Sequence, residues 1–235
     1  MGGTISFDDS LVHYLTRVLR LQDGDEVTGF DTAGVSYALS LQVPAPSGAG
    51  CAAKVLHRLP PAKTAPVIVT LAQSLPKGPK IDLILRQGTE MGVGAFLPFV
   101  SSRTVSRPDP EGEVHKTDRW QKILIEACRQ CGRIDVPKLS RITDWAGLLA
   151  KVKDYDLALF LYEKEAAPIK SVLESKPEAA SILLLIGPEG GWSPEEARQA
   201  LAAGAFPVHL PTSILRCETA GLAATAMVRF FHGER

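Results

Sequence analysis

The segment Leu185-Ile186-Gly187-Pro188-Glu189-Gly190-Gly191-Trp192-Ser193-Pro194-Glu195-Glu196 combines residue types that can hold a ligand. An apolar run over 181–186 ends in a glycine-rich turn, and a helix start follows at once. Ser193 reads as the N-cap, Pro194 as the first helical residue and Glu196 as the far partner of a capping box. Strand, glycine loop and helix set backbone groups at the carboxyl end of a strand, where open α/β sheets bind ligands. Glycines there let a ligand approach the main chain without a Cβ in the way. The loop is neither a dinucleotide fingerprint nor a P-loop, because G-x-G-x-x-G and a following Gly-Lys-Ser/Thr are both missing. Pro188 removes an amide donor, and Glu189 places a carboxylate where a phosphate would need positive charge. A neutral or cationic guest fits better. A tight strand-to-helix turn with no ligand explains the same residues equally well.

A second segment, Leu210-Pro211-Thr212-Ser213-Ile214-Leu215-Arg216-Cys217-Glu218-Thr219-Ala220, also leads from a short strand into a helix, over 221–231. A third feature is basic. Between His115 and Arg141 lie seven Lys or Arg against three acids, and Lys77, Lys80, Arg86, Arg103 and Arg107 precede them. On a chain of net charge zero, such a face suits one defined RNA site rather than non-specific binding. A solvated helix surface is the competing explanation for about half of these side chains taken singly. Cys128 and Cys131 form a C-x-x-C, but no second pair completes a zinc set. Trp120, Ile123, Leu124, Ala127 and Cys131 recur on one helical face, so packing, with reduced thiols, is the expectation.

The elements that would position these residues fall into two textures. Residues 1–65 carry short alternating stretches, Glu26–Phe30 and Val35–Leu41, punctuated by turns at Asp23-Gly24, Ala33-Gly34 and Pro44–Gly50, as in a small β-barrel. Pro60–Lys63 reads as a linker. From residue 66 to 235, strands expected at Val67–Leu71, Ala95–Val100, Leu157–Leu161 and Ile182–Ile186 alternate with helices. The helices are expected at Pro79–Met91, Asp118–Cys131, Pro168–Leu173, Pro194–Ala203 and Ala220–Phe231. That alternation is the pattern of an α/β fold with a mainly parallel sheet and helices on both faces. The composition, 45% hydrophobic and 22% charged, is that of a soluble globule. No apolar run reaches the length of a membrane span, and no secretory signal pattern opens the chain.

The glycine loop and the Leu210–Ala220 segment together resemble the knotted SPOUT-class RNA methyltransferases. Most closely they resemble the RsmE family, which methylates N3 of a uridine in small-subunit (16S) ribosomal RNA. Three further ordered segments carry the likeness: His13–Leu21 with Gly24-Asp25; Lys77-Gly78 with Arg86–Gly92; and Arg119-Trp120, Glu126-Ala127, Gln130 and Arg133. The chain departs at Pro211, where glycine is usual, and at Ser213, where arginine is usual. It begins with Met1-Gly2-Gly3 where the family commonly has a longer strand with an early arginine, which implies a shortened member or a displaced start.

The resemblance implies a PUA-like β-barrel RNA-binding domain (1–65) followed by a SPOUT methyltransferase domain with a carboxyl-terminal trefoil knot (66–235). It also implies a cytoplasmic homodimer acting on 16S rRNA of the small ribosomal subunit, and S-adenosylmethionine as cofactor, with no metal. In the family the cofactor is bound through main-chain groups of three loops. Carried over, these are Leu161-Tyr162-Glu163; Ile186, Gly187, Pro188, Glu189, Gly190 and Gly191; and Leu210 with Ile214, Leu215 and Arg216. Methylation at N3 requires loss of the imide proton. A guanidinium at Arg216 would stabilise the resulting anion, or would instead form an ion pair with Glu218 or Glu189. Those two carboxylates are the candidate proton acceptors, on the expectation that desolvation raises their pKa. Each could cap a helix instead, and for Glu218 the cap is favoured. Arg17, Arg20, Lys77, Arg86, Arg129, Gln130 and Arg133 are the candidate RNA contacts. Trp120 could stack on a base, although its apolar stripe favours a core or dimer role. Two alternatives stay open: another SPOUT-type rRNA or tRNA methyltransferase, and a non-catalytic RNA-binding assembly factor.

Overall fold

The run Ser181–Ile186 forms the centre of a parallel sheet in the structure, a computed structural model. Residues 3–31, 35–45, 50–60, 67–105 and 110–233 are described. The chain divides into two compact units, Met1–Lys63 and Thr64–Arg235.

The first unit contains β1 (Thr4–Ser6), α1 (Asp9–His13) continued by one π-helical turn over Tyr14–Val18, β2 (Glu26–Phe30), β3 (Ser36–Gln42) and β4 (Ala52–Arg58). Its strands form an antiparallel sheet in the order β1-β4-β3-β2. Leu15, Leu39, Leu41 and Ala53 make its core. Arg17 and Arg20 are exposed, and Arg20 holds the left-handed region at φ 58°. The Ala33-Gly34 turn, most of the Pro44–Gly50 turn, residues 61–63 of the expected linker, Arg107 and Met1-Gly2 lie outside the described residues.

The second unit runs β5 (Ile68–Ser74), α2 (Lys80–Glu90), β6 (Ala95–Val100), α3 (Pro110–Cys131), β7 (Lys138–Leu139), β8 (Thr143–Asp144), α4 (Trp145–Ala150) and β9 (Leu157–Leu161). It continues with β10 (Ala167–Pro168), α5 (Ile169–Ser175), β11 (Ser181–Ile186), α6 (Pro194–Ala203), β12 (Phe206–His209) and α7 (Cys217–Gly233). The sheet order is β10-β12-β9-β11-β5-β6-β7, with β8 beside β6 and every recorded pairing parallel.

The period-two alternation of strands accounts for the two core layers. Ile182, Leu184 and Ile186 of β11 face one layer with Leu71, Leu124 and Val228, while Leu183 and Leu185 face the other with Phe99, Phe160 and Leu148. Burial on both faces is why the strand reads as an unbroken apolar run. Helix α7 rests on β5 and β11 because residue 221 is glycine: a Cβ there would lie 2.9 Å from the Leu71 side chain.

Helices α1 and α4 are not among the expected elements; the expected ones differ mainly at their ends. Helix α3 starts eight residues before Asp118, and α7 starts at Cys217 rather than Ala220. The buried face of α3 runs through Trp120, Leu124, Ala127 and Cys128; Cys131, expected to pack, is exposed. Cys131 is the last residue of α3, so it stands at the helix end beyond the buried stretch. The Cys128 thiol donates to the Asp135 carbonyl, 3.4 Å away.

Candidate functional site

Parallel strands place their carboxyl ends together, so Leu161, Ile186 and Leu210 meet at one edge of the sheet. The loops that follow enclose a cleft of two adjoining lobes. The first, about 460 Å³, lies among Tyr162, His209, Leu210, Thr212 and Ser213. The second, about 410 Å³, lies among Ile186, Gly187, Pro188, Glu189, Gly191 and Arg216. Leu161, Glu163, Ile214 and Leu215 border both. All three predicted loops therefore converge. Of their residues, Gly190 lies off the lining, its carbonyl turned to Arg103 Nη1 at 2.7 Å.

The glycine loop is held from below by an aromatic cluster. The Trp192 indole N–H donates to the Leu161 carbonyl (2.9 Å), and its ring stacks on Phe99 and touches Phe160 and Trp145. A Cβ at Gly187 would lie 2.9 Å from that ring, so glycine is required there for close approach. Ser193 and Glu196 form the expected capping box. Glu196, only 3% exposed, also accepts from the amide and hydroxyl of Ser102, both at 2.8 Å. This ties the start of α6 to the loop after β6.

Charge at the cleft is organised by Lys80. Its ammonium lies 3.1 Å from Glu189 and 3.3 Å from Glu218, and the Lys77 amide donates to Glu189 at 3.0 Å. The Glu189–Lys80 hydrogen bond is the main cause of a lysine pKa above its ordinary value. Neither carboxylate has the raised pKa expected of it. Burial pushes Glu189 upward, but its own amide, the Lys77 amide and Lys80 outweigh it, and the net direction is down. Glu218 behaves alike, with its own amide, the Cys217 thiol and Lys80 overcoming burial. Burial pushes the Cys217 thiol itself up to about 12. Arg216 is exposed, and among the described residues its side chain has no hydrogen-bond or ion-pair partner. The ion pair with Glu189 or Glu218 weighed for Arg216 belongs to Lys80.

The basic face is sorted by partners. Lys77, Arg86, Arg129 and Gln130 are exposed, with Arg129 in an i,i+3 pair with Glu126. Arg133 is different: its guanidinium donates to the carbonyls of Thr89 (2.9 Å) and Val93 (2.8 Å) and pairs with Asp135. With its side chain 16% exposed, it ties the end of α2 to the chain after α3. Trp120, at 2%, belongs to the core. Sequence reasoning passed over Lys80 and Arg103 as members of a basic face, and Trp192 as the residue after two glycines. Only their partners, distant in sequence, distinguish them.

The profile of the RNA methyltransferase domain family matches residues 63–229. The ribosomal RNA small subunit methyltransferase E of Bacillus subtilis is 30% identical over 232 residues, 97% of this chain and 90% of that protein. Its namesake from Synechocystis is 34% identical over 227 residues, 96% of this chain and 72% of that one. The chain belongs to this family of RNA methyltransferases. Among solved structures, the ribosomal RNA small subunit methyltransferase E of Neisseria gonorrhoeae bound to S-adenosyl methionine superposes with a TM-score of 0.83 at 32% identity, covering 97% of this chain and 92% of that one. The parallel α/β methyltransferase domain anticipated from the five ordered segments is the fold found, and it is preceded by a four-stranded antiparallel sheet where a PUA-like β-barrel was expected. Among the described residues no helix is long and apolar enough to cross a membrane.

Proposed function

We propose that this chain transfers the methyl group of S-adenosylmethionine to N3 of a uridine in the 16S rRNA of the small ribosomal subunit, in the cytoplasm and as a homodimer. The cleft fits that cofactor. Ile214, 84% exposed, and Leu215 offer apolar cover for an adenine. The loops around them are rich in glycine, proline and aliphatic residues, which suits recognition through the main chain. The nearby carboxylates of Glu163, Glu189 and Glu218 favour a cation over an anion. When bound, the cofactor supplies an electrophilic methyl carbon on a cationic sulfonium.

The chain's own residues do the rest. Neutral uracil N3 has no free lone pair, so the imide proton must leave before or during attack. Arg216, which lines the second lobe and has no partner among the described residues, would stabilise the uracil anion at O2 or O4. A guanidinium stays protonated throughout and spreads its charge over several donors. Glu189 and Glu218 are held ionised, so either can take the proton. Their depressed pKa makes each a weak base, and anion stabilisation therefore carries more of the acceleration than proton abstraction. Exposed Lys77, Arg86, Arg129 and Gln130, with Arg17 and Arg20 of the amino-terminal unit, bind the RNA. N3 lies on the Watson–Crick edge, so a paired target must be opened first.

The unpaired guanidinium of Arg216 is the observation that carries this reading. Small subunits lacking the modification, incubated with labelled S-adenosylmethionine, should yield 3-methyluridine on nucleoside analysis. Arg216→Ala should reduce the rate by about two to three orders of magnitude, the usual cost of removing one oxyanion donor, while cofactor binding persists. Cofactor binding without methylated uridine would redirect the search to another RNA. Failure to bind the cofactor would leave an RNA-binding protein without this chemistry.

A further inference from the structure

One ammonium joins three chain segments around the second lobe. Lys80 opens α2, and it reaches Glu189 in the glycine loop and Glu218 in the first turn of α7. These are the elements whose separation sets the width of the lobe between Gly187 and Arg216. The attachment is reinforced at both ends. The Glu189 oxygen that meets Lys80 also accepts from the Lys77 amide, and the Glu218 oxygen that meets Lys80 also accepts from the Cys217 thiol at 3.2 Å. Lys80 itself lines the lobe, with its side chain one-third exposed. Without the ammonium, the two carboxylates that now share it would be left close together with no cation between them, and like charges at such range repel. The residues just before Lys80 are the exposed turn Lys77-Gly78-Pro79.

We propose that Lys80 is a positioning residue: by holding Glu189 and Glu218 on one ammonium it keeps the glycine loop and the start of α7 at the separation the cofactor requires. This rests on reading the cleft as the S-adenosylmethionine site. It assigns the charge of Lys80 to the architecture of that site, separate from the RNA contacts of the neighbouring basic side chains.

Calorimetric titration of S-adenosylmethionine into the full chain, without RNA, tests it with four proteins: wild type, Lys80→Met, Lys80→Arg and the double variant Lys80→Met/Glu218→Gln. Lys80→Met should bind about tenfold more weakly, equivalent to about 1.4 kcal/mol. Lys80→Arg should recover most of that loss, because a guanidinium can span both carboxylates. The double variant should recover part of it, because it removes one of two unbalanced charges. In methyl transfer, Lys80→Met should raise KM for the cofactor more than it lowers kcat. Unchanged affinity in Lys80→Met, an arginine variant as weak as the methionine one, or no recovery in the double variant each overturns the proposal. If Lys80→Met does not fold by circular dichroism, Glu218→Gln alone decides: weaker binding supports the bridge, and unchanged binding refutes it. A wild-type chain that does not bind S-adenosylmethionine brings down the cofactor reading and this inference together. Wild-type binding with an indifferent Lys80→Met brings down only the inference.

Discussion

Replacing Glu196 with glutamine tests whether the glycine loop owes its shape to one buried carboxylate. Oε1 of Glu196 accepts from the Ser102 amide, and Oε2 accepts from the Ser102 hydroxyl and the Ser193 amide at 2.9 Å. Glutamine keeps one acceptor oxygen and turns an NH2 group toward the other two donors. The serine hydroxyl can rotate to accept, but the Ser193 N–H is left facing a donor. An unmade bond in a buried site costs about 1–3 kcal/mol, and loss of charge assistance in the others adds roughly another 1. We expect Glu196→Gln to destabilise the carboxyl-terminal unit by about 2–4 kcal/mol, lowering Tm by about 4–16 °C. Thermal unfolding followed by far-ultraviolet circular dichroism and tryptophan fluorescence gives the number, since Trp192 reports on the loop itself. The pH dependence sharpens the test. Burial pushes the Glu196 pKa up, but hydrogen bonds from Ser102 and Ser193 outweigh it and the folded value lies below the ordinary 4.5. A depressed folded pKa means stability that is complete above the unfolded pKa and is lost as pH falls through the folded one. The gap between wild type and variant should therefore be constant from neutral pH down to about 5.5 and close below about 4.5. A variant as stable as wild type at pH 7, or a gap that does not close in acid, refutes the reasoning.

Gly187→Ala should disturb the cleft directly, because Phe99, Phe160 and Trp145 leave the Trp192 ring nowhere to retreat. Overpacking of about 1–3 kcal/mol, with cofactor affinity reduced about tenfold or more by calorimetry, is the expected result; wild-type affinity counts against the close-approach argument. Arg133→Ala should lower Tm by stranding the Thr89 and Val93 carbonyls, while Arg86→Ala should leave stability within about 0.5 kcal/mol of wild type yet weaken RNA binding in a filter assay. Equal thermal shifts for the two would undo the distinction between tie and contact. Iodoacetamide at pH 8 followed by mass spectrometry should label Cys131 in the folded chain and spare Cys128 and Cys217. Burial pushes these last two thiols up to about 11 and about 12, far from the reactive thiolate.

Local signals made much of the fold legible. Strands Ala95–Val100 and Leu157–Leu161 and helix Pro194–Ala203 have their expected ends, because their apolar periods and caps are written within a few residues. The capping box at Ser193 and Glu196 is of this kind. Where an element ends or meets the core, the pattern misleads: α7 begins at Cys217, three residues before its expected start, and Cys131 is exposed as the last residue of α3.

The family was legible in the sequence alone, as were the three loops that converge at the cleft. Glycines, a capping box and an arginine beside a helix start are residue types chosen by local backbone geometry and by the reaction. Charge was decided elsewhere. That Lys80 serves both Glu189 and Glu218, that Arg216 has no partner among the described residues, that Arg133 bonds carbonyls and that the carboxylates become stronger acids rather than weaker are facts about pairs far apart in the chain. Electrostatic energy depends on distance through space, and folding brings a lysine of α2 within hydrogen-bonding reach of residues 189 and 218. No spacing in the sequence encodes that proximity. Only the packing of α2 and α7 around the sheet creates it.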